Sequence, residues 1–157
     1  GVAERAVRRV KEGTSATLLQ SGFTNAWWRY AMQCFCFLRN VTDKLADDRT
    51  PYQRRFKADF RGKMIPFGAY VRYLPSNPDD TARTHTFGDK LLEGIFMGYG
   101  QDAGGGFNDA LLIIDWDEIN NAKHISNIHI KQIHYKEVET IMEGEKWLKI
   151  ILILLDL

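Results

Sequence analysis

No run of apolar residues in this chain reaches the ~20 positions that a membrane-spanning helix needs; the longest, Ile150-Ile151-Leu152-Ile153-Leu154-Leu155, falls well short. Cysteine is also scarce. Cys34 and Cys36 are the only two, and both lie in an apolar run with helical character. Residues two apart point to different helix faces, so this pair is poorly placed to form a disulfide or to share a metal. Free thiols in a reducing intracellular compartment are expected. Gly104-Gly105-Gly106 has no following Lys-Ser/Thr and does not open a helix, which argues for a hairpin loop and against a nucleotide-phosphate loop. His124, His129 and His134 recur every five residues, a spacing that fits neither one helix face nor strand alternation, and His85 stands apart. A zinc site would need better spacing and thiols beside it. No Ser or Cys nucleophile has a plausible base near it in sequence.

What remains is a globular composition, 45% hydrophobic and 26% charged over 157 residues, long enough to bury a core as one domain or two small ones. The net charge of +1 conceals an asymmetry. Residues 1–63 carry 13 Lys+Arg against 6 Asp+Glu, a net of +7, while residues 64–157 carry 8 against 14, a net of −6. The first half is therefore the candidate for contact with nucleic acid.

Residues 3–21 read as a helix with Ala3, Val7, Val10, Thr14 and Leu18 on one stripe and Arg5, Arg8, Arg9 and Glu12 on or near the other side. Gly13 weakens its middle, and Ser21-Gly22 ends it. Thr24 or Asn25 can cap a second helix running to about Arg39, apolar nearly all round and so requiring burial on several sides. Residues 43–63 are polar and charged and read as a linker, with a short helical turn at Arg54-Arg55-Phe56-Lys57. Strand-type runs follow at residues 69–73, 94–99, 111–114 and 128–133, separated by Pro75-Ser76-Asn77-Pro78-Asp79-Asp80 and by the glycine loop. Several short strands spaced this way predict a small antiparallel barrel. Phe67, Phe96, Tyr99 and Trp116 are expected in its core, and so are Tyr70 and Tyr73, in the core or at its rim, although both tyrosines could stack on bases. Residues 139–157 have no assignment.

Five motifs in order over about residues 1–138 resemble the integrases of copia-type retrotransposons. Gly1-Val2-Ala3-Glu4-Arg5 resembles the segment carrying the last acid of the Asp, Asp, Glu triad. Phe23-Thr24-Asn25-Ala26-Trp27-Trp28 with Leu38-Arg39-Asn40 resembles the helix that follows it. Arg49-Thr50-Pro51-Tyr52 resembles the linker, and Pro66-Phe67-Gly68-Ala69-Tyr70-Val71 and Gly94-Ile95-Phe96-Met97-Gly98-Tyr99 resemble the paired signatures of the SH3-like domain after the catalytic core.

The resemblance implies an α+β architecture: a two-helix remnant of an RNase H-like integrase core (residues 1–42), a linker (43–63), and a small antiparallel SH3-like β-barrel (64–138). It implies a piece of a Pol polyprotein whose parent integrates DNA by metal-dependent phosphoryl transfer, in the nucleus, together with other integrase subunits and without a membrane. Glu4 would be the third carboxylate of a site holding Mg²⁺ or Mn²⁺. The two matching Asp residues would lie before Gly1, so no metal and no catalysis are expected of this chain alone. Arg5 and Arg8 match the family pattern and Lys11 its broader geometry, as cations near the DNA end. Glu4 could instead only pair with Arg8 at i+4, worth about 0.2–0.5 kcal/mol. A non-catalytic binding module, or a decayed transposon relic, is the competing reading.

Overall fold

A twenty-residue helix whose apolar stripe serves only its second half opens the chain. In the computed structural model, which describes residues 1–84, 87, 88, 90–143, 146 and 147, helix α1 spans Val2–Ser21. Thr14 and Leu18 of the predicted stripe are buried and Val10 is partly so, but Ala3 and Val7 are exposed. Gly22 ends the helix at φ 79°, the left-handed region that glycine enters without penalty, and its N–H donates to the Leu18 carbonyl at 3.1 Å. A single 3₁₀ turn (Asn25–Trp27) leads into α2, Trp28–Thr42.

Gly13 is where the two helices close on each other. A Cβ at that position would lie 2.0 Å from Cζ of Phe35, so the missing side chain makes room for the ring on α2. Gly13→Ala gains up to ~1 kcal/mol in helix propensity but overpacks the interface by about 1–3 kcal/mol. The expected result is a net destabilisation of up to about 2 kcal/mol in urea titration; a stabilised variant would show that the ring moves freely aside.

The segment expected to be a linker is docked rather than loose. Thr50 caps helix α3 (Pro51–Phe56): its hydroxyl accepts from the Gln53 N–H at 3.1 Å, and the Gln53 side chain accepts from the Thr50 N–H at 2.9 Å. Tyr52 accepts from the backbone N–H of Phe107 at 3.1 Å. Tyr99, in the sheet, accepts from the Ile65 N–H at 2.8 Å and donates to the Lys63 carbonyl at 2.5 Å.

The strands are β1 (Tyr70–Tyr73), β2 (Leu92–Gln101), β3 (Phe107–Asp115), β4 (Lys131–His134) and β5 (Val138–Thr140), with short helices α4 (Pro78–Thr81) and α5 (Trp116–Asn121) between them. They form one antiparallel sheet in the order β4-β3-β2-β1-β5. The expected closed barrel is not what forms: β4 and β5 are the two edges and do not pair with each other among the described residues. β4 has four residues and β5 three, a short length over which to join two edges. β5 also crosses the domain boundary expected at residue 138. A further pairing joins Met142–Glu143 to Lys146–Trp147; most of the unassigned tail and His85 lie outside the described residues.

The glycine stretch is the β2–β3 hairpin loop, as the sequence predicts, with Asp102 N–H donating to Gly106 O at 2.8 Å and Gly105 at φ 89°. Phe67, Phe96 and Tyr99 are core residues, and Trp116 is partly buried against them. The core is continuous from Leu18, Trp27, Ala31, Cys34 and Phe37 of the helices, through Tyr52, to the inner face of the sheet. The burial that α2 requires therefore comes from α1 on one side and β2 on the other. Burial pushes the Cys34 thiol up to about 12, so it is an inert core group.

Candidate nucleic-acid interface

The basic end of α1 stands in water. Residues 1–9 are all exposed, and Arg5, Arg8, Arg9 and Lys11 have no ion-pair partner among the described residues. Glu4, Arg8 and Lys11 fall on one face at i, i+4 and i+7, where with Val7 they border a shallow groove of about 440 Å³. Arg5 stands about 100° round the helix and is not part of that groove. Three of the four residues selected from the sequence are thus brought together and one is not.

Glu4 does not pair with Arg8. Its side chain is 89% exposed and meets the Gly1 ammonium at 3.3 Å. A divalent ion of the Mg²⁺ type asks for near-octahedral oxygen ligation, and one exposed carboxylate supplies a small part of that. Among the described residues no group of three or more His, Cys, Asp or Glu is placed to hold a metal. The donors present do not fit a two-metal site, and no chemical step through a metal follows from them.

Two features were not legible in the sequence. Arg9, turned away from the Glu4 face, lines a groove of about 480 Å³ between α1 and α2 together with Arg39, Lys44 and Phe35. Arg39 is occupied there by Asp43, with Nε and an Nη donating to one carboxylate oxygen at 2.8 and 2.6 Å, and Lys44 donates to the Asp48 carbonyl at 3.3 Å, which leaves Arg9 as the cation of this groove without a partner among the described residues. Only the crossing of the helices brings residues 9 and 44 to one groove.

The second is a buried polar cluster under α5. Asp115 is 2% exposed. It accepts a hydrogen bond from the Tyr73 hydroxyl, holds Arg83 at 3.1 Å, and caps α5 by accepting from the N–H groups of Asp117 and Glu118 at 3.0 and 3.2 Å. Arg83 also reaches Asp117 at 2.7 Å and Asp80 at 3.4 Å, and Lys131 joins Asp80 at 2.8 Å. Burial alone would push the Asp115 carboxyl up, but the hydrogen bonds from Arg83, Tyr73 and the Glu118 N–H outweigh it and hold it below the usual range. Asp80 behaves alike: burial opposes ionisation, and Lys131, Asn77 and Arg83 overcome it. Burial and then the Asp115 carboxylate push Tyr73 well above an ordinary phenol. Tyr73 is fully buried, so it cannot stack on a base; Tyr70, half-buried, donates to Glu93 at 2.7 Å. Its three carboxylates share two cations and each charged group has a partner within the cluster, which makes it a fastening of the fold.

The three described histidines are used locally. His124 Nδ1 accepts from the Ser126 N–H, His129 meets Glu118 at 2.8 Å, and His134 Nδ1 accepts from the Lys136 N–H. No helix among the described residues is long and apolar enough to cross a membrane. Comparison with protein-family models, with curated proteins and with solved structures found no match to this chain.

Proposed function

We propose that this chain is the DNA-contacting C-terminal part of a copia-type retrotransposon integrase, without catalytic activity of its own. The observation that carries the reading is the basic end of α1: four cations in about two turns, exposed and without ion pairs among the described residues, on a half of the chain with a net charge of +7. Such a surface binds phosphate backbones in a salt-dependent, sequence-independent way. In the intact parent, which would act in the nucleus with other integrase subunits, Glu4 would join two upstream acids around Mg²⁺ or Mn²⁺. Two aspects of the architecture support this assignment. The two antiparallel helices read as the end of an RNase H-like core. The strand order, a four-strand meander with β5 returning beside β1 after a 3₁₀ turn at Tyr135–Glu137, supports the SH3-like domain that the resemblance implies, in an open rather than closed form.

The test is the salt dependence of binding to a short fluorescent DNA duplex, measured by anisotropy. Replacing Arg5, Arg8 and Lys11 by Glu is expected to reduce the slope of log K against log salt by about 2.7, because each phosphate neutralised by a cation contributes ~0.9. An unchanged slope would remove α1 from the DNA surface and with it this proposal.

A further inference from the structure

Five of the chain's twelve Asn and Gln residues line a single groove: Gln33, Asn40, Gln101, Asn108 and Gln132. They arrive from four elements, α2, β2, β3 and β4, so no local sequence feature gathers them. The groove measures about 490 Å³, within the range of sites that hold ligands. It exists because α2 crosses the sheet over β2 and stops there. A Cβ placed on Gly98 would lie 3.8 Å from both Cβ of Cys34 and a methyl of Leu112, so α2 packs on β2 at this point. From there the paired row Gly98–Leu112–Gln132 runs across β3 to the edge strand β4.

The chemistry of the lining is specific. None of its eleven residues is charged, in a chain where 26% are. Asn108 is engaged through its oxygen, which accepts from the Ala110 N–H at 3.0 Å. The side chains of Gln33, Asn40, Gln101 and Gln132 make no hydrogen bond to any described residue. Gly100 keeps the floor open, since a Cβ there would sit 2.3 Å from the Asn108 oxygen. A carboxamide offers a donor and an acceptor side by side, the complement of another amide. Nucleic acid would bring a phosphate at every nucleotide and meet no cation in this lining. The groove is also elongated: past Asn40 and Gln101 it adjoins a hollow of about 210 Å³ beside Tyr52 and Phe56, where Arg55 ends the uncharged stretch. At its other end it meets β4, a sheet edge of the kind to which an added strand pairs.

We propose that the groove between α2 and the β3–β4 face binds an uncharged peptide segment in extended conformation, with Gln33, Asn40, Gln101 and Gln132 pairing with its main-chain amides. The proposal is independent of the nucleic-acid reading. It is tested by NMR on the isotope-labelled chain, titrated with short N-acetylated, C-amidated peptides built from Ala, Ser, Thr, Asn and Gln. The expected result is saturable movement of the four side-chain NH₂ signals. In the Gln33→Ala/Gln132→Ala double variant the Kd is expected to rise about tenfold, from two hydrogen bonds of modest net worth. Both residues are exposed, so the variant's remaining amide spectrum should overlay the parent's. Absence of saturable shifts, an unaltered Kd in the double variant, or shifts with single-stranded oligo(dT) alone would each overturn the proposal.

Discussion

Asp115→Ala is expected to destabilise this protein by about 2–4 kcal/mol at neutral pH, chiefly from a stranded buried hydroxyl and a lost helix cap. Three losses combine. The buried Tyr73 hydroxyl is left without its acceptor, at roughly 1–3 kcal/mol. Helix α5 loses the side chain that caps two of its N–H groups, at about 1 kcal/mol. Arg83 loses its innermost partner, though it retains Asp80 and Asp117. Asp115→Asn keeps the shape and part of the cap, and should lose less than the alanine variant. Urea denaturation measures both; a loss below about 1 kcal/mol for the alanine variant would mean the cluster is cosmetic.

The same cluster sets the acid limb of stability. Asp115 and Asp80 are both held below the usual carboxyl range in the folded state. Their contribution is therefore fully present above the unfolded-chain value of about 4 and is lost as pH falls through the depressed folded values. The parent chain should lose stability steeply below about pH 4, and Asp115→Ala should show a shallower slope there.

Phe37→Ala is the second substitution with a large expected effect, about 3–5 kcal/mol. The ring is 3% exposed and stacks on Tyr99 with centroids 4.6 Å apart and planes 23° from parallel. Its edges meet Phe60 at 5.4 Å and Tyr52 at 6.1 Å. One side chain of α2 thus fastens the helices to the 43–63 segment and to the sheet. The parent chain should accordingly unfold in one transition seen alike by helix and sheet signals, and the variant should lower that single midpoint. Separate melting of helices and sheet in the parent would show that they do not share a core.

Local structure is legible where one residue type decides it. Gly22 stops α1 and the triple glycine turns β2 into β3, because each depends on a dihedral within a few residues; the helical turn expected at residues 54–57 instead starts at Pro51 behind the Thr50 cap and ends before Lys57. Gly13 reads as a weak point for the same local reason, and its purpose emerges only when Phe35 of α2 arrives above it. Helix α5 escapes a sequence reading because its signal is a single capping Asp115, which looks like any aspartate until Tyr73 and Arg83 surround it. The barrel expectation fails for a related reason. Alternation predicts strands and their inward faces, but whether outer strands meet depends on their length and on the twist of the whole sheet.

By itself, then, the sequence determined the order of helices before strands, the basic first half, the apolar α2 and the exposed cations of α1. All of these are properties of single residues or of their periodic spacing. Tertiary structure alone decided that the linker is docked, that the sheet stays open, and that five carboxamides from four elements share one groove. Those depend on contacts between residues far apart in the chain, and no local pattern encodes the angle at which α2 crosses the sheet.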